Sequence, residues 1–210
     1  EMAIRFRERT IDDFKGKLVG GGVRPNLFEV NINFPAGLGT LVSAGGLSEQ
    51  AVQEKMRFMI KAAELPASNV GDIPVAFRGR VLHVAGDRTF DPWTVTIIND
   101  TDFSIRSAME RWSNAINNHE FDSGNIDPNA YQSDADVFQL GRKVSKDGTA
   151  TIPVLRKYKF HGIYPTQVSP IPLDYGSTDT IEEFQVQFQV QWWDAYRVGQ
   201  GDAESPDLTT

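Results

Sequence analysis

The alternation of apolar and polar positions is sharpest in IEEFQVQFQVQWW, residues 181–193. Phe184, Val186, Phe188, Val190 and Trp192 fall on one side of this stretch, and Glu183, Gln185, Gln187, Gln189 and Gln191 on the other. Successive side chains of a strand point to opposite faces, so a period of two predicts one long β-strand with a dry face and a wet face. The wet face is rich in glutamine, nearly uncharged, and expected to meet water or a partner. Residues 27–34 repeat the pattern, with Phe28, Val30, Ile32 and Phe34 against Glu29, Asn31 and Asn33. Met56, Phe58 and Ile60 predict a second strand, residues 66–74 a turn region, 75–84 strand-like pieces around Gly79, and Trp93, Val95 and Ile97 a further strand. Residues 137–144 and 151–164 read as two strands joined at Lys146-Asp147-Gly148, where Asp-Gly favours a hairpin. In the second of these, Tyr158, Phe160 and Tyr164 face one way, and Lys157, Lys159 and His161 the other.

The period changes once. Ile105, Met109, Trp112 and Ile116 recur at i, i+4, i+7 and i+11, which predicts a single helix over about 103–118 with Thr101 or Asp102 capping its first amides. Burying that apolar face would stabilise by about 1.5–3 kcal/mol per side chain, so the helix is expected to flank a sheet. The fold class read from these elements is mainly β, with one flanking α-helix.

Between the elements lie long polar or glycine-rich segments. Residues 1–26 read as an N-terminal arm and loop, disordered over 1–13 until bound, with Gly20 to Gly22 as a joint. Residues 27–194 form a single β domain and 195–210 a polar tail. Residues 35–54 are expected to be a loop whose Leu41, Val42 and Leu47 are tucked onto the domain or buried by another subunit. Residues 120–136, with Asp134 and Asp136 among five acids, are expected to be an acidic surface loop. Loops beyond about 12–15 residues are uncommon in compact domains and point to function or assembly.

Composition narrows the function. The chain has 210 residues, 40% of them apolar, no cysteine and a net charge of −7. Disulfides, thiolate metal sites and a cysteine nucleophile are excluded, and the negative charge argues against a general nucleic-acid binder. No apolar run is long enough for a membrane-spanning helix, and a soluble, non-secreted protein is expected. His83, His119 and His161 lack ligand spacing, and His119-Glu120-Phe121-Asp122 fits a helix end better than a metal site. Gly20 to Gly22 and the Gly37/Gly39 pair lack the remaining residues of a dinucleotide or phosphate loop. Ser48 lacks the closing glycine of a nucleophile elbow. Asp12/Asp13 and Glu182/Glu183 would point to opposite sides of any strand. Neither catalysis nor a cofactor is expected. The basic residues Lys157, Lys159 and His161, with Arg142, Lys143, Lys146 and Arg156 nearby, read as a solvated strand face or a partner for the acidic 120–136 surface rather than as a nucleic-acid strip.

Several stretches resemble one family. Arg24-Pro25-Asn26-Leu27-Phe28-Glu29-Val30 resembles the first-strand motif of tail tube proteins from contractile-tailed bacteriophages. Asn99-Asp100-Thr101-Asp102-Phe103, Ile105-Arg106, Glu110-Arg111-Trp112 and Ala115-Ile116-Asn117 resemble that family's helix. Tyr164-Pro165-Thr166, Val168-Ser169, Leu173-Asp174-Tyr175 and Ile181-Glu182-Glu183-Phe184 resemble its C-terminal signature. The resemblance runs over about 14–194 and implies a β-barrel or sandwich of two packed antiparallel sheets, assembled as homohexameric rings that stack head to tail. It further implies a virion tail assembled in the host cytoplasm. The partners it implies are the tail sheath protein, tape-measure and baseplate proteins, and double-stranded DNA in transient passage without specific binding. Six copies at −7 each carry −42 per ring, which suits a conduit that should not hold phosphate.

Within that picture the face of Glu183, Gln185, Gln187, Gln189 and Gln191 is expected to line the lumen, the alternatives being a neighbouring subunit or outer solvent. Arg24, Pro25, Asn26, Leu41, Val42, Leu47, Lys157, Lys159, Asp134 and Asp136 are expected at subunit or ring contacts. Tube subunits of phage-tail-like bacteriocins or type VI secretion would share the fold. A monomeric β-barrel that binds a small ligand would need compact loops, and this chain's loops are long.

Overall fold

A computed structural model describes residues 10–18, 22–35, 48–118, 123–124, 127–142, 144–146 and 149–197. In chain order the elements are α1 (Ile11–Lys17), β1 (Phe28–Ile32), α2 (Glu49–Met59), β2 (Ile60–Ala63), β3 (Ser68–Phe77), β4 (Arg80–Phe90), β5 (Trp93–Ile98) and α3 (Ser104–Ile116). There follow β6 (Asn117–Asn118), β7 (Ser123–Gly124), α4 (Pro128–Tyr131), β8 (Ser133–Leu140), β9 (Val144–Lys146), β10 (Thr149–Thr151), β11 (Val154–Val168), β12 (Glu183–Gln189) and β13 (Trp192–Arg197).

The architecture is mainly β and antiparallel. One strand path runs β1-β8-β11-β12-β5-β2, with β13 also paired to β11, and its ends do not meet, so among the described residues the barrel is not closed. The 15-residue β11 belongs to two sheets. Its first half pairs with β8 and β13, and its second half with β12. A strand that changes sheet through a bend or bulge is how a sheet turns a corner over one core. Here the bend lies at Gly162, whose φ is +61°, and the register with β8 shifts between Phe160 and Ile163.

The core collects the dry faces of these strands. Val30, Ile32, Trp93, Val95, Ile97, Ala135, Phe160, Phe184, Val186 and Phe188 are all buried. The Trp93 ring stacks on Phe160 at 4.7 Å between centroids and tilts against Phe188 at 5.5 Å. Helix α3 adds Ile105, Ala108, Met109 and Trp112 to the same cluster. Neither residue expected as its cap holds that position: Phe103 does, at φ +52° and without a side-chain cap bond, while Asp102 Oδ1 accepts from Ser104 N–H at 3.1 Å.

The helix count is larger than the periodicity predicts. Met56 and Phe58 lie in helix α2, not a strand, and only Ile60 begins β2. Val52 and Met56, four residues apart, are its buried face, while Phe58 is 85% exposed. Ser48 caps this helix by accepting from Ala51 N–H at 3.3 Å, and Glu49 and Arg57 sit in the dipole-favoured first and last turns. A short window of alternating apolar residues satisfies both periods, and the cap decides it. Residues 49–54 are therefore helical rather than loop.

Four further expectations change. Residues 11–13 open helix α1, closed by a capping box between Thr10 and Asp13; residues 1–9 lie outside the described residues. Residues 68–74 are strand, part of β3. Residues 133–136 begin β8 and bury Ala135, so the acidic stretch ends in sheet rather than loop. The strand expected to end at Tyr164 runs on to Val168 through a bulge at Pro165–Gln167. Because the Gly162 bend shifts the parity of β11, Ile163 takes the core side and Tyr164 packs edge-on against Tyr131 at 5.6 Å.

The long strand expected over 181–193 is two strands broken at Val190–Gln191, yet β12 and β13 continue one ladder along β11, from Val168↔Val186 to Arg156↔Arg197. The break reverses the faces. Trp192, expected in the core, is 45% exposed and stacks on His161 at 3.7 Å.

Candidate assembly surfaces

The glutamine face expected from sequence exists as a surface. Gln185 and Gln191 are exposed, Glu183, Gln187 and Gln189 half-buried, and Phe184, Val186, Phe188 and Val190 fill the core behind them. Directly across from Gln187 and Gln185 stand Thr94 and Thr96 of β5. Thr166 Oγ1 donates to the Gln187 carbonyl at 3.1 Å. Lys61 on β2 neutralises Glu183 at 2.7 Å. The result is an outward face of amides and hydroxyls with its one acid paired.

The basic residues meet acids of their own chain. Lys157 lies 3.2 Å from Asp136, and Lys159 and His161 lie 3.7 and 3.5 Å from Asp134. Asp194 on β13 stands 3.8 Å from the other His161 nitrogen. These groups form a row across β8, β11 and β13, where Lys159 is directly opposite both Asp136 and Asp194. Burial under Trp192 pulls the His161 pKa down, against the neighbouring Asp134 carboxylate, which favours the charged ring. Arg24, Pro25 and Asn26 are exposed on a turn, with Leu27 N–H donating to Arg24 O at 3.2 Å. Gln139 Nε2 on β8 holds the same carbonyl at 2.9 Å. Leu41, Val42 and Leu47 lie outside the described residues.

Two surfaces were not singled out by sequence reasoning. The first is the β3–β4 hairpin. Among the described residues its strands pair only with each other, and they turn tightly at Arg78 and Gly79, both at positive φ, the geometry that matches strand twist. Ile73 lies opposite Val84 and Val75 opposite Leu82, with Phe77 beyond them, so one face of this ribbon is apolar and exposed. A two-stranded ribbon is marginally stable alone in water, and an exposed apolar face of this kind marks an interaction site. The alternation around Gly79 was visible in sequence; that no third strand among the described residues pairs with it was not.

The second is a groove of about 550 Å³ formed by the segment between β11 and β12. Leu173 is 85% exposed, and Tyr175 and Ile181 are exposed beside it. Asp174 and Glu182 lie at the same groove. Among the described residues, no group of three or more histidines and carboxylates is placed to hold a metal ion.

Comparison with known proteins agrees with this geometry. A family model described as phage tail tube protein matches residues 23–196. The tail tube protein gp19 of Enterobacteria phage T4 is 33% identical over 177 residues, covering 83% of this chain and 93% of that protein. In fold, the chain resembles the tube-terminating cap of the anti-feeding prophage, with a TM-score of 0.56 at 15% identity over 93% of this chain and 99% of the other. It also resembles a chain of an extracellular contractile injection system's sheath–tube complex, with a TM-score of 0.52 at 11% identity over 88% and 97% of the two chains. An antiparallel β domain with a polar amide face, matched along 174 of its residues by that model, belongs to the phage tail tube protein family.

Proposed function

We propose that this chain is the structural subunit of a phage tail tube, forming homohexameric rings that stack head to tail into a conduit for double-stranded DNA. The conduit lies within a contractile sheath and meets tape-measure and baseplate proteins, as a component of the virion tail assembled in the host cytoplasm. The role is architectural rather than catalytic. The observation that carries the reading is the β3–β4 hairpin, an apolar ribbon that nothing among the described residues covers, on a chain of the tail tube family. The Gln185, Gln187 and Gln189 face, bordered by Thr94 and Thr96, suits a DNA-facing wall because amides and hydroxyls offer no fixed cation to hold phosphate. A phage tail is preferred to a bacteriocin or secretion tube because the relative at 33% identity is a phage protein.

Electron microscopy of the purified chain over a range of concentrations tests this. Six-fold rings or hollow tubes are expected. Replacing residues 69–89 by a short Gly-Ser turn should abolish them while leaving the thermal midpoint within about 2 °C, a shift worth no more than about 1 kcal/mol in a chain this size. A wild-type chain that stays monomeric at every concentration would overturn the reading.

A further inference from the structure

The hairpin tip and the groove are complementary to each other. The tip is Phe77-Arg78-Gly79-Arg80, with Phe77 exposed under the Arg78 guanidinium, 5.2 Å from its ring, and Arg80 exposed opposite it. The groove presents Leu173 and Ile181 beside Asp174 and Glu182. Among the described residues the bonds to both acids come from neutral donors: Glu182 accepts from Asn99 Nδ2 at 2.6 Å, and Asp174 from Gly176 N–H at 3.0 Å. Glu183, by contrast, already has Lys61. An aromatic ring flanked by two guanidiniums therefore matches an apolar groove whose two carboxylates meet no cation among the described residues.

Their places in the fold are also informative. The hairpin returns at Phe90 and enters β5 at Trp93, the start of that strand. The groove lies at the strand's other end, where Ile98 pairs with Glu183 and Asn99 N–H donates to the Glu182 carbonyl at 2.8 Å. The six residues of β5 separate the base of the hairpin from the groove by roughly 17–20 Å. Two different complementary surfaces on one chain make a heterologous contact, which can repeat from copy to copy along an open stack.

We propose that the Phe77–Arg80 tip of one copy seats in the groove formed by Ile171 to Glu182 of the next copy along the stack, with Arg78 and Arg80 paired to Asp174 and Glu182. This rests on the tube reading above and names the partner of its hairpin. Fixed charges on both sides would set the rotation of one ring on the next, since only matched positions pair them.

The chain contains no cysteine, so crosslinking is clean. Leu82→Cys and Tyr175→Cys variants, one on the Phe77–Arg80 face next to the tip and one at the groove, keep all four charges. Tubes grown from their mixture and oxidised should yield a disulfide-linked dimer, and tubes of either variant alone should not. Mixed tubes without the dimer would overturn the contact while leaving the tube in place; failure of the wild-type chain to assemble would overturn both. In a second arm, Arg78→Glu with Arg80→Glu should raise the concentration needed for assembly at least about tenfold, and adding Asp174→Arg with Glu182→Arg should restore it. Unchanged assembly of the first double variant would also overturn the contact.

Discussion

Gly162 shows how much a single residue decides here. At φ +61° it takes a conformation that side chains disfavour, and a methyl group added there would meet Gln191 Cγ at 2.7 Å. That crowding is where β11 changes sheet and where β12 gives way to β13. Gly162→Ala should therefore destabilise the monomer by more than about 1 kcal/mol, measured as a lower urea midpoint. Adding Gln191→Ala should recover only part, because the left-handed backbone strain remains. Full recovery would mean that the contact alone matters. The same residue explains a misreading. Period two was legible for Phe184, Val186, Phe188 and Val190, but it assumes an unbroken strand, and the Gly162 and Gln191 bends moved Tyr164 and Trp192 off the core side. A glycine among apolar residues did not reveal which way its backbone turned.

At the scale of elements, helices α2 and α3 are tied by one cation. Lys55 on α2 lies 2.8 Å from Asp100 and 2.5 Å from Asp102, and donates to Ser104 Oγ at 3.2 Å. Partial burial works against the Lys55 charge, but hydrogen bonds to the two aspartates outweigh it and raise its pKa. The same hydrogen bonds from Lys55, with backbone amides at Thr101 and Ser104, hold both carboxyls below their usual value of 3.8. A depressed carboxyl stabilises the fold above its unfolded pKa and loses that contribution as pH falls through the folded value. Wild-type protein should accordingly be more stable than Lys55→Met near neutral pH, and the difference should shrink below pH 3.8. Thermal melts from pH 7 to 3 measure it; a gap independent of pH would assign the effect to packing. Asp102 was readable as an acceptor for the first helical amides, though Phe103 holds the cap position, but its partner 47 residues away was not, because ion pairs between elements leave no local periodicity. The basic row of β11 is the parallel case, since only the β8–β11 register brings Asp134 and Asp136 beside it.

For the whole molecule, the amide face separates two demands on one sheet. Its inner side is close-packed by Trp93, Phe160 and Phe188, while its outer side is kept nearly free of unpaired charge. If that outer side lines the conduit, Gln187→Lys should place a ring of cations against passing DNA and slow genome ejection, with the slowing relieved by added salt. Unchanged ejection from intact tails carrying the variant would move this face elsewhere in the assembly. The lysine should leave folding intact, because Gln187 is only half-buried and its neighbours Val186 and Phe188 carry the core.

Strand β5 has a mechanical consequence. The hairpin leaves from one of its ends and the groove forms at the other, so a pull transmitted through tip and groove would run along the strand. Antiparallel hydrogen bonds lie perpendicular to such a pull. The ladder from Glu183↔Ile98 to Phe188↔Trp93 would then be loaded in shear, with its bonds sharing the force together rather than opening one after another like a zip. A tube built this way resists stretching with the same bonds that fold its subunit.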